Sequence, residues 1–398
     1  MTSKNLDRRR LLTTSLAFGG LAGLGACAAP GARTAPALGL SAQDVPPRLM
    51  PIRAHADRLF DITVCLRPFR AKGPRIETEM MGDTRVVHNY GHGGSGWSLS
   101  WGSAAMAVGQ AMINRPKSIA VIGCGAIGLT SAITAQRQGA AVTIYARDQL
   151  PQTRSARATG GWTPDSRIAL ADVAGPAFAE TWEQMARTSF KIYRQYLGLP
   201  GNPVQWTDRY SLSDTPFREA SEPPGSLDFA HYNDRIRDLT PRAQDIPPAA
   251  TPFPVKYVRR SETMQFNIAN YSHTLMTDFF LAGGKFVRQE FRDPRELTQL
   301  AEKTVINCPG YAAREWWNDN SIVPVRGQIA WLIPQPEVRY ALSYRDVSTW
   351  SRTDGIVVQA VDGGDMKGYD NGREVADRAE ADKAVGVLEE LYSRFPRA

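Results

Sequence analysis

Four glycines crowd the six positions from Gly91 to Gly96 within "VVHNYGHGGSGWSLSWGSA", residues 86–104. Glycine at such density lets backbone amides approach a flat or charged ligand, because no Cβ stands in the way. Shortly afterwards "IAVIGCGAIGLTSAI" (119–133) repeats the device as Gly123-x-Gly125-x-x-Gly128, set between an apolar run and a helical pattern, with "AVTIY" following Gly139. Strand, glycine turn, helix and second strand together are the context of a dinucleotide site, where a pyrophosphate sits at a helix N-terminus. The place where an acidic residue commonly accepts a ribose hydroxyl holds Tyr145-Ala146-Arg147-Asp148, so this motif alone does not choose among NAD, NADP and FAD. Hydrolysis is poorly served. "GGSGW" puts Trp97 where a nucleophile elbow needs glycine, and no other GxSxG exists. The five histidines (55, 88, 92, 231, 273) lack metal-ligand spacing, so no metal site is expected, and Cys65, Cys124 and Cys308 lie in apolar runs that suit buried thiols.

The elements that must hold these turns read as an α/β chain without internal repeats. Apolar runs at 118–122, 141–145, 303–306, 328–333 and 355–361 predict strands, and apolar spacing at 99–113, 126–138, 176–197, 269–282 and 373–394 predicts helices. Residues 213–254, dense in Pro, Ser and Asp, read as loops between short elements. A length of 398 residues suggests two or three domains. Of the net charge of +7, residues 1–27 carry +3, and no basic block elsewhere has the footprint of a nucleic-acid site. Consecutive arginines before a short Gly/Ala-rich apolar run predict an export signal, with Arg8-Arg9 and Leu11-Leu12 in the manner of a twin-arginine leader. "LGAC" (24–27) has the form of a lipoprotein cleavage box, which would make Cys27 a lipid anchor and place the protein in the periplasm or on a membrane; a plain cut nearby is the alternative. The Ala/Pro/Gly-rich stretch 28–55 then reads as a flexible linker.

The glycine-rich stretch 86–104 resembles the signature of the D-amino-acid oxidase family of flavoproteins, and "VCLRPFRAKGPRIE" (64–77) resembles that family's arginine-bearing strand. "YARDQLPQTRSARATGGWTP", "FNIANYSHTLMTDFFLAGGKFV", "TVINCPG" and "VPVRGQIAWL" look like further family segments, so the resemblance covers most of residues 60–395. In the family the arginine strand and the glycine-rich loop come last; here they come first, which implies a circular permutant. The implied fold is α/β, with a Rossmann-like FAD-binding domain (56–165 and 264–312), a second domain on mixed or antiparallel sheet for substrate (166–263 and 313–372) and a C-terminal helix (373–398).

The resemblance implies FAD as cofactor and oxidation of an amino acid, by its usual members a D-amino acid, with hydride passing from Cα to the flavin and oxygen or another acceptor taking the electrons. Arg67 would grip the substrate carboxylate and the Gly94 carbonyl would accept from its amine. Of "RYALSYRDVSTW", which offers Tyr340, Tyr344 and Trp350, Tyr344 falls nearest the family's substrate-covering tyrosine. Gly93, Gly94, Ser95, Gly96, Trp97 and Ser98 would line the flavin, Gly123, Gly125, Ala126, Ile127 and Gly128 the pyrophosphate, and Arg147 and Asp148 the adenosine half. Ser155, Gly160, Gly161 and Trp162 would meet the flavin end. A dehydrogenase that passes electrons to a quinone, and a flavin-binding envelope protein without turnover, are the alternatives.

Overall fold

The structure, a computed structural model, describes residues 49–217 and 225–395. The described residues belong to one compact unit. The expected leader and Cys27 lie outside the described residues. Among those described, no helix is long and apolar enough to cross a membrane.

The chain opens with the long strand β1 (Leu59–Arg70), the hairpin β2 (Thr78–Met81) and β3 (Thr84–His88), and helix α1 (Gly96–Ala111). A βαβ unit follows, β4 (Ser118–Ile122), α2 (Ala126–Arg137) and β5 (Ala141–Ala146), then the short α3 (Ala171–Ala174) and the long α4 (Pro176–Tyr193). Strands β6 (Val204–Ser213), β7 (Gln244–Ile246) and β8 (Tyr257–Phe266) lead to α5 (Ile268–Leu281), β9 (Lys285–Arg288), β10 (Thr304–Asn307) and the short α6 (Ala313–Trp316). Four strands close the chain, β11 (Ile322–Leu332), β12 (Tyr340–Tyr344), β13 (Val347–Arg352) and β14 (Gly355–Ala360), before the terminal helix α7 (Arg378–Ser393).

Two sheets result. The six-stranded sheet has the order β2-β3-β10-β4-β5-β9, parallel from β3 to β9, as strands joined by helical crossovers must be. Its inner strands "VVH", "IAVI" and "TVIN" are buried on both faces and so are mostly apolar without alternation, and the polar ends His88 and Asn307 meet each other at 3.1 Å. Helix α1 is buried over most of its surface against α2, α4 and the sheet, with Ala105 and Gly109 on its exposed side. Gly102 lets α4 approach: a Cβ there would stand 2.2 Å from the Met185 carbonyl oxygen.

The eight-stranded sheet, β1-β11-β14-β13-β12-β6-β8-β7, is antiparallel except where β12 meets β6. Its period-two alternation divides the side chains. Tyr210, Leu212, Tyr340, Leu342, Tyr344, Val347, Ile356 and Val358 pack under α7, while Arg209, Ser348, Trp350 and Gln359 face the other way.

The fold corrects two expectations. The arginine strand, assigned to the FAD-binding part, runs along β11 from Leu59↔Leu332 to Arg70↔Ile322 and so is an edge of the larger sheet. The last residues of the expected linker are not a free tether either. Ile52 (2% exposed) and Ala54 (1%) are buried against Ala381, Ala384 and Leu388 of α7, and Met50 accepts a hydrogen bond from the Tyr340 hydroxyl at 2.8 Å. His55 Nδ1 meets Glu389 Oε1 at 2.9 Å, so the entry to β1 lies on the terminal helix.

Candidate active site and cofactor cradle

One cavity of about 1000 Å³ lies between the two sheets, and both glycine turns open into it. The first turn follows β3. Gly93 has φ +53°, and a Cβ there would fall 1.8 Å from the Arg167 carbonyl oxygen; at Gly94 it would fall 2.4 Å from Ser166 Oγ. The turn is pinned by Gly93 N–H donating to the Pro68 carbonyl (2.9 Å) and Gly94 N–H to the Ser166 carbonyl (2.9 Å).

Behind it runs a buried polar chain. Ser103 Oγ donates to Asn89 Oδ1 at 2.5 Å and Asn89 Nδ2 donates to Ser131 Oγ at 3.2 Å, so His92 Nε2, 2.7 Å from Ser103 Oγ, is the protonated nitrogen of a neutral ring. Burial holds the pKa of His92 down at about 3, and burial together with the Arg75 charge does the same for His88. Unfolded, both rings titrate near 6.5, so the stability they contribute is complete above that pH and drains away as it falls toward 3. The expected cost is about 1.4 kcal/mol per pH unit for each ring. Thermal unfolding midpoints at about pH 7 and pH 5 read this, and His92→Asn should flatten the slope; an equal slope in both proteins would refute it.

The second turn joins β4 to α2. Gly123 has φ +95° and lies against the Cys308 carbonyl, while a Cβ on Gly128 would come 2.0 Å from the Gly123 carbonyl oxygen. Neither α1 nor α2 has a side-chain N-cap bond or an acidic residue in its first turn, and residues at both N-termini, Gly96 and Trp97 on α1, Gly125, Ala126 and Ile127 on α2, line the cavity. Two helix N-termini with amides to satisfy, aimed into one cavity from separate turns, fit a ligand that carries phosphates. Ser155 ties them together. Its Oγ accepts from the Ala126 amide (3.0 Å), and its carbonyl from Trp97 Nε1 (2.8 Å). Arg147 and Asp148, paired at 2.8 Å, stand at the far end of the cavity wall beyond β5.

Arg67 projects from β1 across Gly327 of β11. A Cβ at Gly327 would lie 2.4 Å from Arg67 Nη2, so the glycine vacates the room the guanidinium occupies. The partner recorded for that guanidinium is the Arg326 carbonyl oxygen, 3.3 Å from Nη1, and no carboxylate pairs with it among the described residues. Two of the cavity's carboxylates are engaged elsewhere. Glu374 is held by Arg154 (2.7 Å) and Arg157 (3.3 Å), and Glu290 by Arg147 (3.3 Å). The Cys124 and Cys308 thiols, on the wall, are pushed by burial up to about 12 and are no nucleophiles.

The structure brings together Arg67, Gly93, Gly94, Gly96, Trp97, Gly123, Gly125, Ala126, Ile127, Arg147, Asp148 and Ser155. It does not bring Tyr344 there. That side chain, 1% exposed, points to the α7 face of the sheet, where its hydroxyl donates to Asp214 Oδ2 at 2.6 Å, so its expected role over the substrate is corrected. Ser95, Ser98, Gly128, Gly160, Gly161 and Trp162 stand one layer behind the wall as supports. Ser98 Oγ accepts from the Thr163 amide (2.9 Å), Gly161 abuts Trp350, and Trp162 packs between Phe190 and Tyr193. Sequence reading missed Ser166, Arg209, Gly327 and Glu374. Gly327 alone carried a signal, as the only residue without a Cβ in "VPVRGQIAWL".

Residues 118–398 match the FAD dependent oxidoreductase family. The chain belongs to that family. Its cofactor is FAD, and the two helix N-termini and their glycine turns are the residues that would hold it. Among curated proteins, the chain is 28% identical to a D-amino-acid oxidase of Dictyostelium discoideum over 214 residues, 53% of this chain and 56% of that one. To a D-amino-acid oxidase of Rubrobacter xylanophilus it is 28% identical over 209 residues, 52% of this chain and 57% of that one. The chain thus spans little more than half the length of these relatives. A solved L-amino acid deaminase from Proteus vulgaris, with its specific insertion sequence deleted, overlays with a TM-score of 0.45 at 14% identity, covering 71% of this chain and 75% of that one.

Proposed function

We propose that this flavoprotein oxidises the Cα–N bond of an amino acid, as the D-amino-acid oxidases it resembles do by name, and that its substrate is a D-amino acid. The observation that carries the reading is the Arg67 guanidinium, set over Gly327 in the wall shared with the flavin-side turn and paired with a lone backbone carbonyl. A guanidinium fork grips a carboxylate through two parallel hydrogen bonds and so fixes both position and direction. FAD, when bound, supplies the acceptor for hydride from Cα. The chain's own part is orientation. Arg67 holds the carboxylate, the Gly94 carbonyl accepts from the neutral amine, and Trp350 closes the pocket against water. A neutral amine needs no strong base.

The test is to mix the purified holoprotein, free of oxygen, with D- and L-amino acids and follow flavin absorbance. Bleaching by D-amino acids is expected. Bound flavin that no amino acid bleaches would overturn the reading and favour a flavin-binding protein without turnover. Bleaching by L-amino acids alone would overturn the stereochemical part.

The segment order is proposed to be a circular permutation, with support from the entry to β1 lying on α7 through His55 and Glu389 and through Arg378 Nη2 donating to the Ala56 carbonyl at 3.5 Å. Export by the twin-arginine route is proposed from Arg8-Arg9, a route that suits a cofactor bound before transport.

A further inference from the structure

Position 209 on β6 faces the cavity while its neighbours do not. Asp208 is paired with Arg260 at 3.0 Å, and Tyr210 is buried under α7. The Arg209 guanidinium carbon lies 5.8 Å from the Trp350 ring centroid, and its Nε is enclosed without a hydrogen-bond partner. No carboxylate among the described residues pairs with it, and Glu374, Asp148 and Glu290, elsewhere around the cavity, have arginine partners of their own. A desolvated guanidinium without counter-charge is costly, and the cost is recovered when an anion arrives.

The position of Arg209 matters as much as its charge. Trp350, beneath it, packs on Gly161, where a Cβ would fall 2.4 Å away, and Thr163 donates to Ser98 just past the flavin-side turn. Arg67 lines the same cavity, and the carbonyl of the next residue, Pro68, accepts from Gly93 of that turn. The two arginines thus stand on strands of one sheet and line one cavity. Between them the sheet presents Ser348 and Gln359, polar side chains that offer an apolar substituent little.

We propose that Arg209 grips a second carboxylate, carried on the substrate's side chain, so that the amino acid oxidised is a dicarboxylic one. This rests on the reading that the site oxidises amino acids at Cα. A structural role for Arg209, stacking on Trp350 and nothing more, would make its replacement fall equally on every substrate. Dicarboxylate recognition makes the loss selective.

The test uses the holoprotein and the ratio of kcat/KM for aspartate over asparagine and for glutamate over glutamine, in D and L series. Wild type should favour the acid by about 10- to 100-fold, the size of a charge-assisted contact. Arg209→Met should compress that ratio to within about threefold, with Arg209→Lys retaining part of it. Calorimetry supplies a readout independent of turnover. Succinate should bind the wild-type holoprotein at least about tenfold more tightly than it binds Arg209→Met, with butyrate showing no such difference. Wild-type preference for the neutral amides, an equal fall for acids and amides in Arg209→Met, or succinate binding unchanged by the substitution would each overturn the proposal. If no amino acid is oxidised, the reading of the reaction falls instead, and succinate binding still decides the role of Arg209.

Discussion

Arg67→Ala should lower kcat/KM for an amino-acid substrate by about a thousandfold while leaving FAD bound, roughly what removal of one partner of a buried charge pair costs. The guanidinium makes one long contact with the chain itself, to the Arg326 carbonyl, so its loss removes little that holds the fold. Arg67→Lys should recover only a small part, because an ammonium cannot present two parallel donors to a planar carboxylate. Steady-state kinetics with flavin absorbance as the loading control read the effect. A kcat/KM within a few-fold of wild type would refute the role, and so would equal loss with amines that lack a carboxylate. Gly327→Ala is the companion from the opposite strand. Its methyl would take the space now filled by Nη2, so it should raise KM with Arg67 still present.

Gly128→Ala should cost FAD itself. Gly128 makes no contact with the cavity, yet a Cβ there would meet the Gly123 carbonyl oxygen at 2.0 Å, which is backbone and cannot rotate away. The turn must open, and the amides of Gly125 and Ala126 move with it. Destabilisation of about 3 kcal/mol is expected from the overpacking alone, together with protein that purifies without flavin absorbance. Gly109→Ala is the control. It lies in α1 with nothing within 4 Å of the added methyl, and it should bind FAD normally and be slightly more stable. Full flavin occupancy in Gly128→Ala would show that the turn tolerates displacement.

Both glycine turns were legible because their steric demands leave only one residue type. Gly93, Gly94, Gly123 and Gly128 each have backbone or side-chain atoms of a neighbour where a Cβ would be. Parallel strands β4 and β10 were legible for a related reason: burial on both faces writes "IAVI" and the centre of "TVIN" as apolar runs, whereas β3 and β9 were not predicted. Tyr344 shows where such reading stops. In a strand with side chains alternating between faces, a slip of one residue exchanges inside for outside, and nothing in "YALSY" states which of Ser343 and Tyr344 packs under α7. The linker misled in another way. Its composition is that of a tether, but Ile52 and Ala54 find an apolar face on α7 that only the fold creates. Arg209 was unreadable on both counts, since "WTDRYSLS" gives it no distinguishing neighbours and its lack of a partner is a property of the assembled cavity.

The continuity of β3, α1, β4 and α2 bears on how the protein is made. Gly94 and Gly125, which open into one cavity, are joined through a single helix and a short connection, and α1 packs on α2. An order that placed the Arg67 strand after α7 would separate the same turns by about 300 residues, roughly three doublings of the intervening chain, at a closure cost higher by about 2 kcal/mol. In this order both halves of the cradle emerge from the ribosome together, and β10, the strand that pairs with both β3 and β4, is added almost two hundred residues later. The nascent chain thus has both glycine turns before β6 and β11 to β14, the strands across the cavity, have been synthesised.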